Sequence, residues 1–138
     1  MADETKPRVV VAGAVYDQGK LLAARRTAPP EFAGRWELPG GKVEPGETPQ
    51  EALVRELREE LGIEVEVLDR LPGEWKLKSD LVLHAWEARL LKGEPQPLQD
   101  HDELRWLAPE AAFDVDWLEQ DVPFVKETVR QLGARDGQ

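Results

Sequence analysis

Three carboxylates, Glu56, Glu59 and Glu60, stand at i, i+3 and i+4 in the run RELREELGI, the spacing that gathers helical side chains on one face. Like charges that close repel. Either water solvates them or a cation holds them together. At about 100° per residue, Glu59 falls about 60° to one side of Glu56 and Glu60 about 40° to the other, with Leu53, Leu57 and Leu61 in the adjoining arc. The acids therefore border the apolar stripe instead of opposing it, which favours a partly enclosed site over a solvated face. Enclosed and unpaired, they would raise one another's pKa; a divalent cation would keep them ionised. An all-oxygen donor set suits magnesium or manganese, not zinc.

The stretch just before them, PGGKVEPGE (Pro39 to Glu47), gives a reason to expect phosphates. Gly40 and Gly41 let a backbone approach a ligand closely, and Lys42 adds a cation. Magnesium readily shares a site with substrate phosphates. The Gly-Lys-Ser/Thr ending of a P-loop is absent.

The elements that must position these groups can be read in order. Residues 8–15 and 20–24 read as two strands around the turn Asp17 to Lys20, a hairpin pattern. RWEL (Arg35 to Leu38) reads as a short strand, and Pro39 to Glu47 as a loop dense in turn formers. Thr48 can cap a helix that Pro49 opens, Glu51 can close a capping box, and Gly62 stops it. Further strands are expected in IEVEVLDRL, WKLK, LVLHAWEARLL and ELRWL (Glu103 to Leu107), a short helix near 109–113, and a last helix near 122–132, with frayed residues after it. A mixed sheet with helices packed on it follows.

A chain of 138 residues fits one domain with one main core, here 1–138. Twenty-eight acids against eighteen Lys and Arg give a formal net charge of −10, a poor basis for gripping polymeric nucleic acid or an anionic membrane. The absence of cysteine excludes disulfides, thiolate zinc and cysteine nucleophiles. MADETKPR is unlike a secretory signal and Val9 to Val15 is too short to span a bilayer, so a cytoplasmic protein is expected, either monomer or homodimer.

Gly41 to Ile63, GKVEPGETPQEALVRELREELGI, resembles the complete Nudix box, G-x5-E-x7-R-E-U-x-E-E-x-G-U with U aliphatic. Every fixed position is met, by Gly41, Glu47, Arg55, Glu56, Leu57, Glu59, Glu60, Gly62 and Ile63. The resemblance implies an α/β fold, an α/β/α sandwich on a mixed sheet, and cleavage of nucleoside diphosphate derivatives with Mg²⁺ or Mn²⁺. It implies Glu56, Glu59, Glu60 and the Gly40 carbonyl as metal ligands, with Glu47 supporting that shell through water. Arg55 would orient the glutamates, a role compatible with a plain i, i+4 pair to Glu51 or Glu59. Glu56 or Glu59 would activate the attacking water.

A proline shortly past the box, usual in ADP-ribose enzymes, and a tyrosine there, usual in dinucleoside polyphosphate enzymes, are both missing around Lys78 to Asp80. The chain is most similar in look to MutT-like nucleoside triphosphate pyrophosphohydrolases, and within them to bacterial enzymes of CTP and modified dNTPs. That resemblance implies a phosphate contact for Arg26 and base reading by Asp121, with Leu38 and Trp36 beside the nucleoside. Asp121, if ionised, can only accept, which suits the cytosine amino group; protonated, it could serve a purine. It could also cap the last helix. Trp117 could stack on a base or pack in the core. Asp100 is the candidate extra acid, with Asp102 and Glu103 competing. His84 and His101 are given no role. A nucleotide-sensing regulator without hydrolysis, a hydrolase of another nucleoside diphosphate derivative, and an enzyme of RNA ends are the rivals; the intact box and the net charge weigh against the first and last.

Overall fold

The computed structural model describes residues 8–136, with side chains to Leu132. Its elements are β1 (Arg8–Asp17), β2 (Lys20–Arg26), β3 (Trp36–Glu37), β4 (Gly40–Lys42), α1 (Pro49–Leu61), β5 (Glu64–Arg70), β6 (Trp75–Lys78), β7 (Leu81–Lys92), β8 (His101–Leu107) and α2 (Val122–Asp136). Between the last two lie 3-10 turns at Pro109–Ala111 and Glu119–Asp121; the first replaces the short helix expected there. The strands form one mixed sheet in the order β3-β2-β1-β7-β5, with β4 on β1, β6 on β7 and β8 on β2. β1 runs parallel to β7 from Arg8 opposite Leu81 to Tyr16 opposite Arg89. It turns back antiparallel into β2 through Gln18 and Gly19, both at positive φ (53° and 78°), as a two-residue hairpin loop requires.

Alternation along β1 divides two cores. Val11 and Val15 join Leu22, Leu53, Leu57 and Leu61 on the α1 face. Ala12 and Ala14 join Leu38, Phe124 and Val125 on the α2 face. The result is the α/β/α sandwich. α1 docks through Leu53, Leu57 and Leu61, all fully buried, each worth about 1.5–3 kcal/mol. That outweighs the few tenths lost per like-charge pair on its other flank. The helix closes as its sequence foretells: Thr48 and Glu51 form a reciprocal capping box (2.8 and 3.1 Å), and Gly62 (φ 71°) donates to the Arg58 carbonyl.

Several boundaries differ from expectation: β1 and β2 run on to Asp17 and Arg26, β3 covers only Trp36–Glu37, and β8 begins at His101. Gly40–Lys42 is not loop but a strand, paired with β1 as Val10–Lys42, Val11–Gly41 and Ala12–Gly40. Two glycines have little intrinsic strand preference, so this pairing is imposed by the neighbouring strand. α2 continues through Asp136, past the expected end; the final two residues lie outside those described. Among the described residues, no helix is long and apolar enough to cross a membrane.

Candidate functional site

Arg55, on α1, organises the glutamates. Its Nε donates to Glu47 Oε2 (2.7 Å) and Nη2 to Glu47 Oε1 (3.0 Å). Nη1 donates to Glu56 Oε1 (2.7 Å) and Glu59 Oε1 (3.0 Å), and Nη2 to the Lys42 carbonyl (3.1 Å). The pair with Glu51 does not form, since Glu51 is used in the capping box. Hydrogen bonding to Glu47 above all, reinforced by Glu56, holds the guanidinium charged. Reciprocally, Arg55 keeps the Glu47 carboxyl below its ordinary range. Glu47 thus reaches the helix through arginine, with the Glu44 N–H on the same carboxylate (2.9 Å).

Glu56 and Glu60 behave differently. Burial pushes the Glu56 carboxyl up despite Arg55. Burial first, then the charges of Glu37 and Glu56, pushes Glu60 up to about 8. Oε1 of Glu60 is buried with no hydrogen-bond partner. Such an acceptor is costly in isolation and is what a cation would satisfy. β4 fits the same purpose. A Cβ on Gly41 would stand 2.1 Å from Glu56 Oε2, and one on Gly40 would stand 1.9 Å from the Val11 carbonyl oxygen. Only glycine allows β4 to lie flat on β1 while the Glu56 carboxylate rests on it. Among the described residues, no three Asp, Glu or His side chains already converge on one point; Glu56 and Glu59 are drawn to Arg55 instead.

The raised Glu60 pKa has a measurable consequence. Its folded value (about 8) exceeds its ordinary 4.5, so the unfolded chain ionises first as pH rises. The stability this group contributes is full below about 4.5 and is lost as pH climbs through about 8. In EDTA, the wild-type Tm should therefore fall more between pH 6 and 9 than that of Glu60→Gln. Parallel Tm profiles would remove Glu60 from the strained set.

Beside the glutamates lies a cleft of about 210 Å³ whose wall includes Arg26, Glu37, Leu38, Gly40 and Lys42. A register shift between Arg25 and Arg26 sends these neighbours apart, as bulges do. Arg25 pairs with Asp102 (2.8 Å) and Glu103 (3.3 Å). Arg26 donates from Nη1 to Glu37 Oε2 (2.9 Å) and from Nε to the Ala28 carbonyl (2.8 Å). Of the three competing acids, Asp100 is the one whose charge acts on Glu60; Asp102 and Glu103 are taken by Arg25.

The base-side residues separate. Leu38 lines the cleft, but Trp36 does not: it is buried, with the guanidinium groups of Arg25 and Arg105 at 5.9 and 4.9 Å from its ring centre. Trp117 is likewise core, its Nε1 donating to the Ala112 carbonyl (2.7 Å). Asp121 is buried, and among the described residues its hydrogen bond is not to the α2 backbone. Its Oδ2 accepts from the Leu38 N–H (3.1 Å), which corrects the capping alternative. Burial, then the charge of Glu37, raises its carboxyl well above the ordinary range. The ionised acceptor considered from sequence is therefore disfavoured. Glu37 and His101 carried no role in that reading. Glu37 lines the same cleft as Leu38, which strand alternation along RWEL does not signal.

This architecture, with that box on its loop and helix, defines a Nudix hydrolase. The chain belongs to the Nudix family: the NUDIX domain matches residues 6–132. A Mycobacterium tuberculosis protein provisionally named 8-oxo-dGTP diphosphatase 2 is 45% identical over 128 residues, covering 91% of this chain and 90% of the relative. Escherichia coli CTP pyrophosphohydrolase is 40% identical over 128 residues, covering 91% and 94%. The solution structure of the E. coli ORF135 protein superposes with a TM-score of 0.80 at 36% identity, covering 99% of this chain and 98% of that one. Nudix hydrolases generally need divalent metal ions and act on small nucleotide substrates.

Proposed function

We propose that this protein converts nucleoside triphosphates and water to nucleoside monophosphates and diphosphate with Mg²⁺ or Mn²⁺, clearing damaged or unwanted nucleotides from the cytoplasmic pool. The substrates that its relatives' names suggest are 8-oxo-dGTP and CTP; dCTP and 5-methyl-dCTP share the cytosine base and join them as candidates. The carrying observation is the unpartnered, buried Glu60 oxygen among box acids, next to a cleft holding Arg26 and Lys42. Glu56, Glu59, Glu60 and the Gly40 carbonyl would hold the metal, whose charge would offset that spreading over the phosphoryl group. Glu56 or Glu59 takes the proton of the attacking water, and Arg26 and Lys42 hold phosphate oxygens. The cleft is smaller than the roughly 300–1,000 Å³ of drug-sized sites, which suits a base with its triphosphate lying outside over the glutamates.

Asp121 lies behind the cleft wall and its Oδ2 already accepts from the Leu38 N–H, so reading a base requires the carboxyl to turn toward the cleft; neutral, it would then offer one donor and one acceptor. That pair complements O6 and N7–H of 8-oxoguanine, and equally N3 and the amino group of cytosine. It accounts for both substrate names among the relatives without favouring one. Asparagine repeats the same pair, so Asp121→Asn should keep the relative kcat/KM on 8-oxo-dGTP, CTP, dCTP, 5-methyl-dCTP and dATP within about threefold. Asp121→Leu should lose about 1–3 kcal/mol on the preferred bases, the worth of a base contact. Diphosphate release across that panel tests the proposal. If no triphosphate is cleaved, the function is wrong; if Leu and wild type discriminate alike, Asp121 does not read the base.

A further inference from the structure

His101 opens β8 and is paired directly across from Arg26 of β2, immediately after the register shift. Its side chain has no exposure, although its two neighbours in this cluster, Arg26 and Glu37, line the cleft. Nε2 lies 2.8 Å from Glu37 Oε2, the same oxygen that accepts from Arg26 Nη1 at 2.9 Å. Nδ1 is buried without a partner. A proton on Nδ1 would be an unsatisfied buried donor, whereas a proton on Nε2 is received by a carboxylate. The ring therefore carries its proton on Nε2 and donates it to Glu37. Glu37 is held from the other side by its strand, paired as Ala24–Glu37.

We propose that His101 is a positioning residue: by fixing the Glu37 carboxylate from behind, it holds the Arg26 guanidinium in the orientation that meets substrate phosphate. Three strands supply one member each, β8 the imidazole, β3 the carboxylate and β2 the guanidinium. The Ala28 carbonyl fixes the near end of the guanidinium at Nε, and Glu37 fixes Nη1. Without the histidine, one oxygen must orient arginine unaided, and the carboxylate is free to rotate. The remaining guanidinium N–H groups are left for phosphate, whose planar fork geometry rewards a pre-set orientation. This inference rests on the assignment of Arg26 to phosphate in the proposed function.

Four variants of the full chain test it: Arg26→Ala, His101→Leu, His101→Gln and the double Arg26→Ala/His101→Leu, each with kinetics on the best triphosphate of the panel. His101→Leu should lower kcat/KM by about tenfold, the worth of one hydrogen bond to a charged group, and mostly through KM. Glutamine, which can offer an N–H near the position of Nε2, should recover most of it. On top of Arg26→Ala, the leucine should cost less than about twofold more, because residues acting through one partner are not additive. An undiminished leucine penalty in the Arg26→Ala background overturns the proposal, as does failure of a folded His101→Gln to recover activity.

Long-range ¹H–¹⁵N spectra of the wild-type protein supply a readout independent of turnover and of whether the leucine variant folds. The His101 ring should show its proton on Nε2, and the Arg26 Nε–H should exchange slowly. A proton on Nδ1 alone, or fast exchange at Arg26, overturns the relay. If wild type cleaves no triphosphate but the spectra show the expected tautomer and slow exchange, the proposed function has failed while the relay stands.

Discussion

Glu59→Gln should lower turnover by about two to four powers of ten, the range for losing a general base or an electrostatic stabiliser, and leave the metal-free fold intact. The two halves of that expectation have separate causes. Glu59 is half exposed, shares Nη1 of Arg55 with Glu56, and adds to the repulsion that raises Glu56. Glutamine keeps the shape and an acceptor for Arg55 while removing that repulsion, so stability should move by no more than about 0.5 kcal/mol, as for exposed sites. The metal and the attacking water, by contrast, need the charge. Urea unfolding in EDTA and steady-state kinetics in Mg²⁺ read the two effects separately. Turnover near the wild-type rate would take Glu59 out of the site.

Alanine at the adjacent glycines should have opposite consequences. At Gly40, a Cβ would meet the Val11 carbonyl oxygen at 1.9 Å and Ala12 Cα at 2.9 Å. Both atoms are backbone of the central strand and cannot swing aside. Gly40→Ala should therefore destabilise the fold by about 1–3 kcal/mol or more, the cost of overpacking. At Gly41, the obstacle is the end of the Glu56 side chain, at 2.1 Å, which can rotate. Gly41→Ala should fold nearly as well as wild type, yet displace Glu56 and lose at least about a hundredfold in activity, comparable to removing one stabilising group. Denaturation midpoints and kcat/KM of the two variants check this. Equal loss of stability in both would mean that Glu56 does not rest on Gly41.

Much of this arrangement is legible in the chain because its signals are local. The capping box, the hairpin turn and the Gly62 stop are chosen by neighbours within four residues, and the structure shows each where the residues require it. The position of the acids beside the leucine stripe follows from helical geometry alone. What escapes is what distant segments impose. β4 exists because β1 offers its backbone at Val10 to Ala12 as a pairing partner for two glycines and Lys42. Trp36 is expected beside the nucleoside, but it is buried, with Arg25 and Arg105 from two other strands over its ring. Glu37 and His101 lie 64 residues apart, and no spacing rule joins them. The protonation of Asp121 depends on burial and on the Glu37 charge, neither of which a sequence displays. Alternation would set Glu37 opposite Leu38, yet both line the cleft, a convergence that the strand pattern does not display.

We propose cleavage of a nucleoside triphosphate between its α and β phosphorus atoms, supported by a divalent cation that the box acids would hold. Its most direct test is product analysis of 8-oxo-dGTP and CTP incubated with the protein in Mg²⁺, and again in excess EDTA. The predicted result is nucleoside monophosphate and diphosphate in equal amounts with Mg²⁺, and none with EDTA. Full cleavage in EDTA, or release of orthophosphate with nucleoside diphosphate in place of diphosphate, would contradict it.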